Sequence, residues 1–199
     1  MKKALHIGPA KSGTLPHGFP SHEWEEYTLD LDPVAKPDIL GSMTDMSVIE
    51  TGSFDGIFTS HTIEHLYPDD VKKAMEECLR VLKPDGFLLL SCPDIQTAAV
   101  EIAKGNLLGT LYESGEGPIA AIDVVFGYRG YFTLLDRRDV MTHRTGFTLP
   151  VMIHSLESVG FPSVAGKRRL SSYEMWVYAS KKALPQDELM KRAEAQIPE

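Results

Sequence analysis

Two histidines and a glutamate stand within five residues in His61-Thr62-Ile63-Glu64-His65, and a further histidine, His143, precedes Arg144. A neutral imidazole near pH 7 can take a proton from an oxygen or nitrogen nucleophile, so His61 and His143 are the candidate catalytic groups. The H-x-x-E-H spacing is also that of a zinc peptidase. That chemistry needs both histidines on one helix face. Here the run starts where an apolar strand-like segment ends, and Pro68 follows His65 closely. A long helix is not expected, and neither is a metal. Cys92, before Pro93, has no histidine–aspartate partner that the sequence can place, so it reads as a small packed thiol.

A second kind of chemistry is written at the start of the chain. Leu5-His6-Ile7 runs into Gly8-Pro9-Ala10, a glycine turn directly after an apolar run. In open α/β sheets, ligands sit beyond the carboxyl ends of the strands, and such a turn lets backbone amides approach them. Asp30 closes the next apolar run and is placed to accept hydrogen bonds from two ribose hydroxyls. A dinucleotide fingerprint would need G-x-G-x-x-G opening a helix. Gly13, Pro16, Gly18 and Pro20 break the stretch that should form it, so the pyrophosphate site is lost.

The elements that must hold these groups alternate between short apolar runs and longer helical periods, an α/β pattern. Strands are expected over Lys3–Ile7, Tyr27–Leu31, Pro37–Leu40, Phe54–Thr59 and Phe87–Leu90. A helix from Asp69 or Asp70 to Leu82 carries Val71, Ala74, Met75, Cys78, Leu79 and Leu82 on one face, and a second runs from Ile95 to Ala103. Thr148 is a good N-cap for a helix to Val159. Val164–Leu170 and Glu174–Ala179 form a terminal strand pair. The fold class is therefore a Rossmann-like, mostly parallel sheet with an antiparallel C-terminal strand pair and a first helix shortened or absent. Residues 1–180 make one domain. Within it, 105–147 is an insertion of short helices and loops, in the role of a lid, whose Phe126, Tyr128, Tyr131 and Phe132 pack it. Residues 181–199 are a polar, loosely attached tail.

The chain has 199 residues with a formal net charge of −8 and 43% hydrophobic residues. These values suit a soluble globular domain and exclude extended disorder. A net negative charge, with Lys167-Arg168-Arg169 the one basic cluster, argues against a nucleic-acid partner. No apolar run approaches the roughly 20 residues that cross a bilayer, so no membrane partner is expected. Two cysteines and the short apolar start before Gly8-Pro9 point to the cytoplasm.

Taken in order, LHIGPAKSG, LDLDP at Leu29–Pro33, PDILGSMTDM at Pro37–Met46, GSFDGIFTSHTIEHL at Gly52–Leu66 and VKKAMEECLRVLKPDGFLLLSCPD at Val71–Asp94 resemble a class I S-adenosylmethionine-dependent methyltransferase of the short type-11 group. HRTGFT at His143–Thr148 is similar to a segment of one branch of that group. The resemblance implies S-adenosylmethionine as cofactor. Gly8, Pro9 and Ala10 would face its amino-acid part, and Asp30 with Leu31 its ribose. Asp45 and the Met46 backbone would meet adenine, with Ser60 and His61 near the sulfonium. A small-molecule acceptor would then meet His65, Tyr67, Asp94, Asp123, Tyr128 and Arg144, in a monomer or a homodimer. The competing expectation is a non-catalytic, methyltransferase-like binding subunit, since Gly8-Pro9-Ala10 departs from the group's usual glycine turn.

Overall fold

The computed structural model describes residues 1–9, 13–133 and 138–198. The chain builds Lys2–Ile7 (β1), Trp24–Asp30 (β2), Ile39–Leu40 (β3), Phe54–Ser60 (β4), Pro68–Val81 (α1), Leu82–Pro93 (β5) and Ile95–Ala103 (α2). It continues with Thr110–Ser114 (β6), Gly117–Ala120 (β7), Ala121–Phe126 (α3), Arg138–Met141 (α4) and Leu149–Ser158 (α5), and closes with Ser163–Arg169 (β8), Glu174–Ser180 (β9) and Gln186–Gln196 (α6). Seven strands form one sheet in the order β3-β2-β1-β4-β5-β9-β8. The first five are parallel, whereas β9 runs antiparallel to both β5 and β8. This is the expected sheet, C-terminal pair included.

The chain leaves β1 for one side of the sheet through β2 and returns to the other side through β4. Ligands in open α/β sheets bind at such a reversal, beyond the strands' carboxyl ends. Register puts Ile7 beside both Leu29 and Thr59, so Gly8, Asp30 and Ser60 come out together at that edge.

The two faces of the sheet are covered differently. On one, α1 and α5 bury Val71, Ala74, Met75, Cys78, Val81, Met152 and Leu156 against Leu5, Ile7, Ile57 and Leu88. Helix α1 begins at Pro68, slightly before the expected start. Proline suits a first helical position, and Asp69 and Asp70 fall in the first turn, where negative charge meets the positive end of the helix dipole. Thr148 occupies the N-cap position of α5, but its side chain makes no capping hydrogen bond.

On the opposite face, the described residues between β1 and β2 form no helix, as expected. Phe19, Trp24, Phe58, Phe87, Trp176 and Tyr178 layer over the sheet instead. A side chain at Gly56 would meet Phe19 at 2.9 Å and Trp24 at 3.0 Å, so the aromatic layer needs glycine in β4. The segment expected to be a loose tail closes this layer. Helix α6 buries Leu189 and Ala193, followed by Ile197, in the aromatic cluster. The expectation of loose attachment is thus corrected: three apolar residues four apart suffice to dock a mostly polar helix. Among the described residues, no helix is long and apolar enough to cross a membrane.

Candidate functional site

At the β1–β2 corner, Gly8 adopts φ +71° and its amide donates to the Leu29 carbonyl at 2.8 Å. A side chain on Gly8 would lie 2.5 Å from Thr62 Oγ1, so the residue is fixed as glycine by conformation and by space. Asp30 ends β2 one residue beyond the Leu29 pairing, and one of its carboxylate oxygens accepts the Asp32 amide at 2.9 Å. The glycine bend and the carboxylate are therefore neighbours on adjacent strands, an arrangement that fits the ribose and amino-acid portions of an adenosyl cofactor. Leu31 is exposed and Pro9 buried. Ala10 lies outside the described residues.

The expected adenine contacts are held by protein partners. Asp45 is exposed, and its carboxylate accepts the Ser47 amide at 3.1 Å. The Met46 amide donates to Glu77 at 2.7 Å and the Met46 carbonyl accepts from Arg80 at 2.7 Å. The Met46 backbone polar groups thus tie the β3–β4 connection to α1. Hydrogen bonding to Arg80 holds the Glu77 carboxyl below its ordinary range.

Further along the same edge, β4, β5 and β9 floor a cavity of about 420 Å³. Its walls come from the 105–147 stretch, whose described residues hold the β6–β7 hairpin, two short α-helices and a 3-10 turn rather than short helices and loops alone. His61 takes φ +50°, a conformation uncommon outside glycine and one that often marks a functional bend. That bend sets its ring 3.3 Å from Glu64 Oε1 through Nδ1 and 3.2 Å from Glu174 Oε2 through Nε2. Burial opposes the ring's charge, but the hydrogen bond to Glu174 and the nearby Glu64 outweigh it and raise its pKa well above the ordinary imidazole value. His61 is a held cation rather than an available base.

His143 differs. Its Nδ1 donates to the Val124 carbonyl at 3.1 Å, and Nε2 faces Glu64 at 4.0 Å. Burial lowers its pKa, with Glu64 only partly compensating, so the ring is neutral near pH 7. His65 packs edge-on against it at 5.0 Å, with Nδ1 donating to the Thr142 carbonyl at 3.2 Å. Glu64 is 1% exposed. Burial would raise its pKa, but the close contact and charge of His61 prevail and hold it ionised.

Of the remaining expected contacts, the cavity gathers Asp123 and Tyr128. Asp123 is buried, accepts from the Ala120 and Arg129 amides, and pairs with the Arg129 guanidinium at 2.7 Å, so it stiffens the wall. Tyr128 donates its hydroxyl to the Glu116 carbonyl at 2.8 Å. Three expected contacts are corrected, being absent from the lining. Asp94 is fully buried, caps α2 through the Gln96 amide, and bonds Thr97 and Arg168. Tyr67 is exposed with the Arg144 guanidinium 4.8 Å above its ring, and Arg144 donates to the His65 carbonyl at 2.6 Å. That pair clamps the histidine loop from outside. Cys92 is buried, and burial pushes its thiol well above the ordinary value, in keeping with a packing role. Sequence reasoning missed Glu174, Tyr112 and Tyr173 of the lining. None carries a local motif: the β5–β9 register, Pro93 beside Glu174, brings Glu174 and the preceding Tyr173 to the edge, and Tyr112 reaches them from the middle of β6, stacked on Tyr173.

Residues 23–90 match the family model described as a methyltransferase domain. No curated protein matches the sequence. Among solved structures, the fold is similar to the CurJ carbon methyltransferase (TM-score 0.57, 15% identity, covering 92% of this chain and 49% of that one). It is also similar to a methyltransferase from Thermotoga maritima (0.56, 13%, 92% and 83%). A third is the 1,6-didemethyltoxoflavin-N1-methyltransferase of Burkholderia thailandensis, solved with its substrate and S-adenosylhomocysteine (0.52, 14%, 91% and 71%). The chain spans about half the length of the first of these.

Proposed function

We propose that this chain is a class I S-adenosylmethionine-dependent methyltransferase that methylates an oxygen or nitrogen atom of a small-molecule or biosynthetic-intermediate acceptor, a reading supported by the domain match over residues 23–90 and by the fold. The observation that carries the reading is the order of groups along one sheet edge: Asp30, Gly8, Ser60 and His61, then the histidine-lined cavity. Gly8 and Asp30 would hold the cofactor. When bound, S-adenosylmethionine supplies a methyl group already activated on sulfur, so transfer is an in-line displacement. The protein's task is then alignment and exclusion of water. Ser60, bonded to Ser91 at 2.7 Å, and His61 lie between the corner and the cavity. A cavity wall of Glu64, His65 and His143 presents acceptor atoms to the hydroxyl or amine that must lose a proton. The ion pairs of His61, itself partly exposed, with Glu64 and Glu174 brace that wall.

Calorimetry with S-adenosylmethionine and S-adenosylhomocysteine tests the reading. Both are expected to bind at micromolar concentrations. The competing reading, a non-catalytic binding subunit, is favoured by the glycine turn, after which the described residues form no helix before β2. Absence of heat with either ligand at millimolar concentration would establish that alternative over the enzyme.

A further inference from the structure

The geometry points to a divalent transition-metal site formed by Glu64, His65 and His143 on the wall of the acceptor cavity. Three observations support it. First, one ligand atom from each residue lies within 4.8 Å of the other two. Second, Glu64 is 1% exposed and neither of its carboxylate oxygens has a hydrogen-bond partner, its one close contact being the His61 Nδ1 ion pair to Oε1 at 3.3 Å. A buried carboxylate normally has its lone pairs satisfied, and the His61 ion pair approaches only Oε1, so the remaining lone pairs of Glu64 beside the cavity leave room for a second positive partner.

The third observation concerns which atoms carry hydrogen. Nδ1 of His65 meets the Thr142 carbonyl and Nδ1 of His143 meets the Val124 carbonyl. A carbonyl oxygen can only accept, so both Nδ1 atoms carry hydrogen and each ring keeps Nε2 as its ligand atom. Backbone carbonyls holding Nδ1–H are the usual outer support of metal-bound histidines. His143 Nε2 and Glu64 Oε1 then face each other 4.0 Å apart, two lone pairs with no hydrogen between them. A cation fills that gap, because ligand bonds of about 2.0–2.2 Å span pairs up to roughly 4 Å apart.

Two imidazoles and one carboxylate suit a first-row divalent ion such as Zn²⁺, Fe²⁺ or Mn²⁺ and leave positions open toward the cavity. Under the methyltransferase reading, on which this part rests, those positions select an acceptor that offers an oxygen donor. The peptidase arrangement does not apply, because Ile63–His65 is a single 3-10 turn and His143 comes from a distant segment.

Cobalt(II) is a direct probe. The full chain, stripped with a chelator and titrated with Co²⁺, is expected to develop visible d–d absorption that saturates at one equivalent and is displaced by Zn²⁺. Glu64→Gln, His65→Ala and His143→Ala should each weaken binding by more than about a hundredfold. His154→Ala, at an exposed position on α5, should leave it unchanged. Should Glu64→Gln fail to fold by circular dichroism, the two histidine variants carry the test. No saturable absorption in the full chain, or binding by the His65 and His143 variants as tight as that of the unsubstituted chain, overturns the site. S-adenosylhomocysteine calorimetry on the same metal-free protein reports separately on the cofactor reading, so failure of one leaves the other standing.

Discussion

The two ends of the carboxyl edge are built by opposite strategies. At the β1–β2 corner, one glycine, one carboxylate and backbone amides make the site, and both residues sit directly at strand ends. At the β4–β5–β9 end, ionised and neutral side chains converge from residues 61–65, from the 105–147 stretch and from the start of β9. The first end depends on chain direction and on one close backbone approach. The second depends on a charge balance that any one member can upset. Under the proposed function, the difference separates binding of a common cofactor from recognition of a particular acceptor, as specificity carried by connections over a rigid scaffold requires.

The sharpest way to break the comparison is at the cavity. His143→Ala is expected to lower turnover by about 10²–10⁴-fold while leaving S-adenosylhomocysteine affinity within a factor of two. Steady-state rates beside calorimetry check this, and equal loss in both would merge the two ends into one site. Asp30→Ala should do the reverse. It should weaken cofactor binding by about 1.5–3 kcal/mol, the scale of charge-assisted hydrogen bonds, with the cavity histidine resonances unmoved.

Gly8→Ala tests whether the corner is also structural. The added carbon meets Thr62 Oγ1 at 2.5 Å in a backbone of positive φ, and a loss of about 1–3 kcal/mol is expected in urea unfolding. Combining it with Thr62→Ala should recover the steric part and leave the backbone part, a separation that a double-mutant cycle reads directly.

The smallest effect lies at Glu77, which ties the loop after β3 to α1 through Met46 and Arg80. Its folded pKa is depressed, chiefly by the Arg80 hydrogen bond, so its contribution is complete above the unfolded value near 4.5 and fades as pH falls through the folded value. Glu77→Gln should therefore flatten the loss of stability below pH 4.5, by up to about 1 kcal/mol. Thermal midpoints from pH 7 to pH 3 would reveal it.

Much of the scaffold was legible because its signals are local. The strand before Gly8, the run Phe54–Ser60 and helix Ile95–Ala103 announce themselves through apolar runs and breakers at their ends. Helix α6 was misread because its polar composition masked the spacing of Leu189, Ala193 and Ile197. The β6–β7 hairpin carries its turn in Ser114-Gly115-Glu116-Gly117, but its strands alternate too weakly to stand out. Asp94 was misplaced because a strand-end carboxylate can point to the rim or cap the next helix, and only the approach of Arg168 from β8 decides between them. The acceptor cavity could be read least, since Glu174 and His143 reach Glu64 only through pairings far apart in the chain.

A crystal structure with S-adenosylhomocysteine tests the central claim most directly. Ribose hydroxyls on the Asp30 carboxylate, the amino-acid part over Gly8 and sulfur directed toward His61 and the cavity are the predicted result. Ligand bound elsewhere, or the Gly8–Asp30 corner unchanged and empty at saturating concentration, would contradict it.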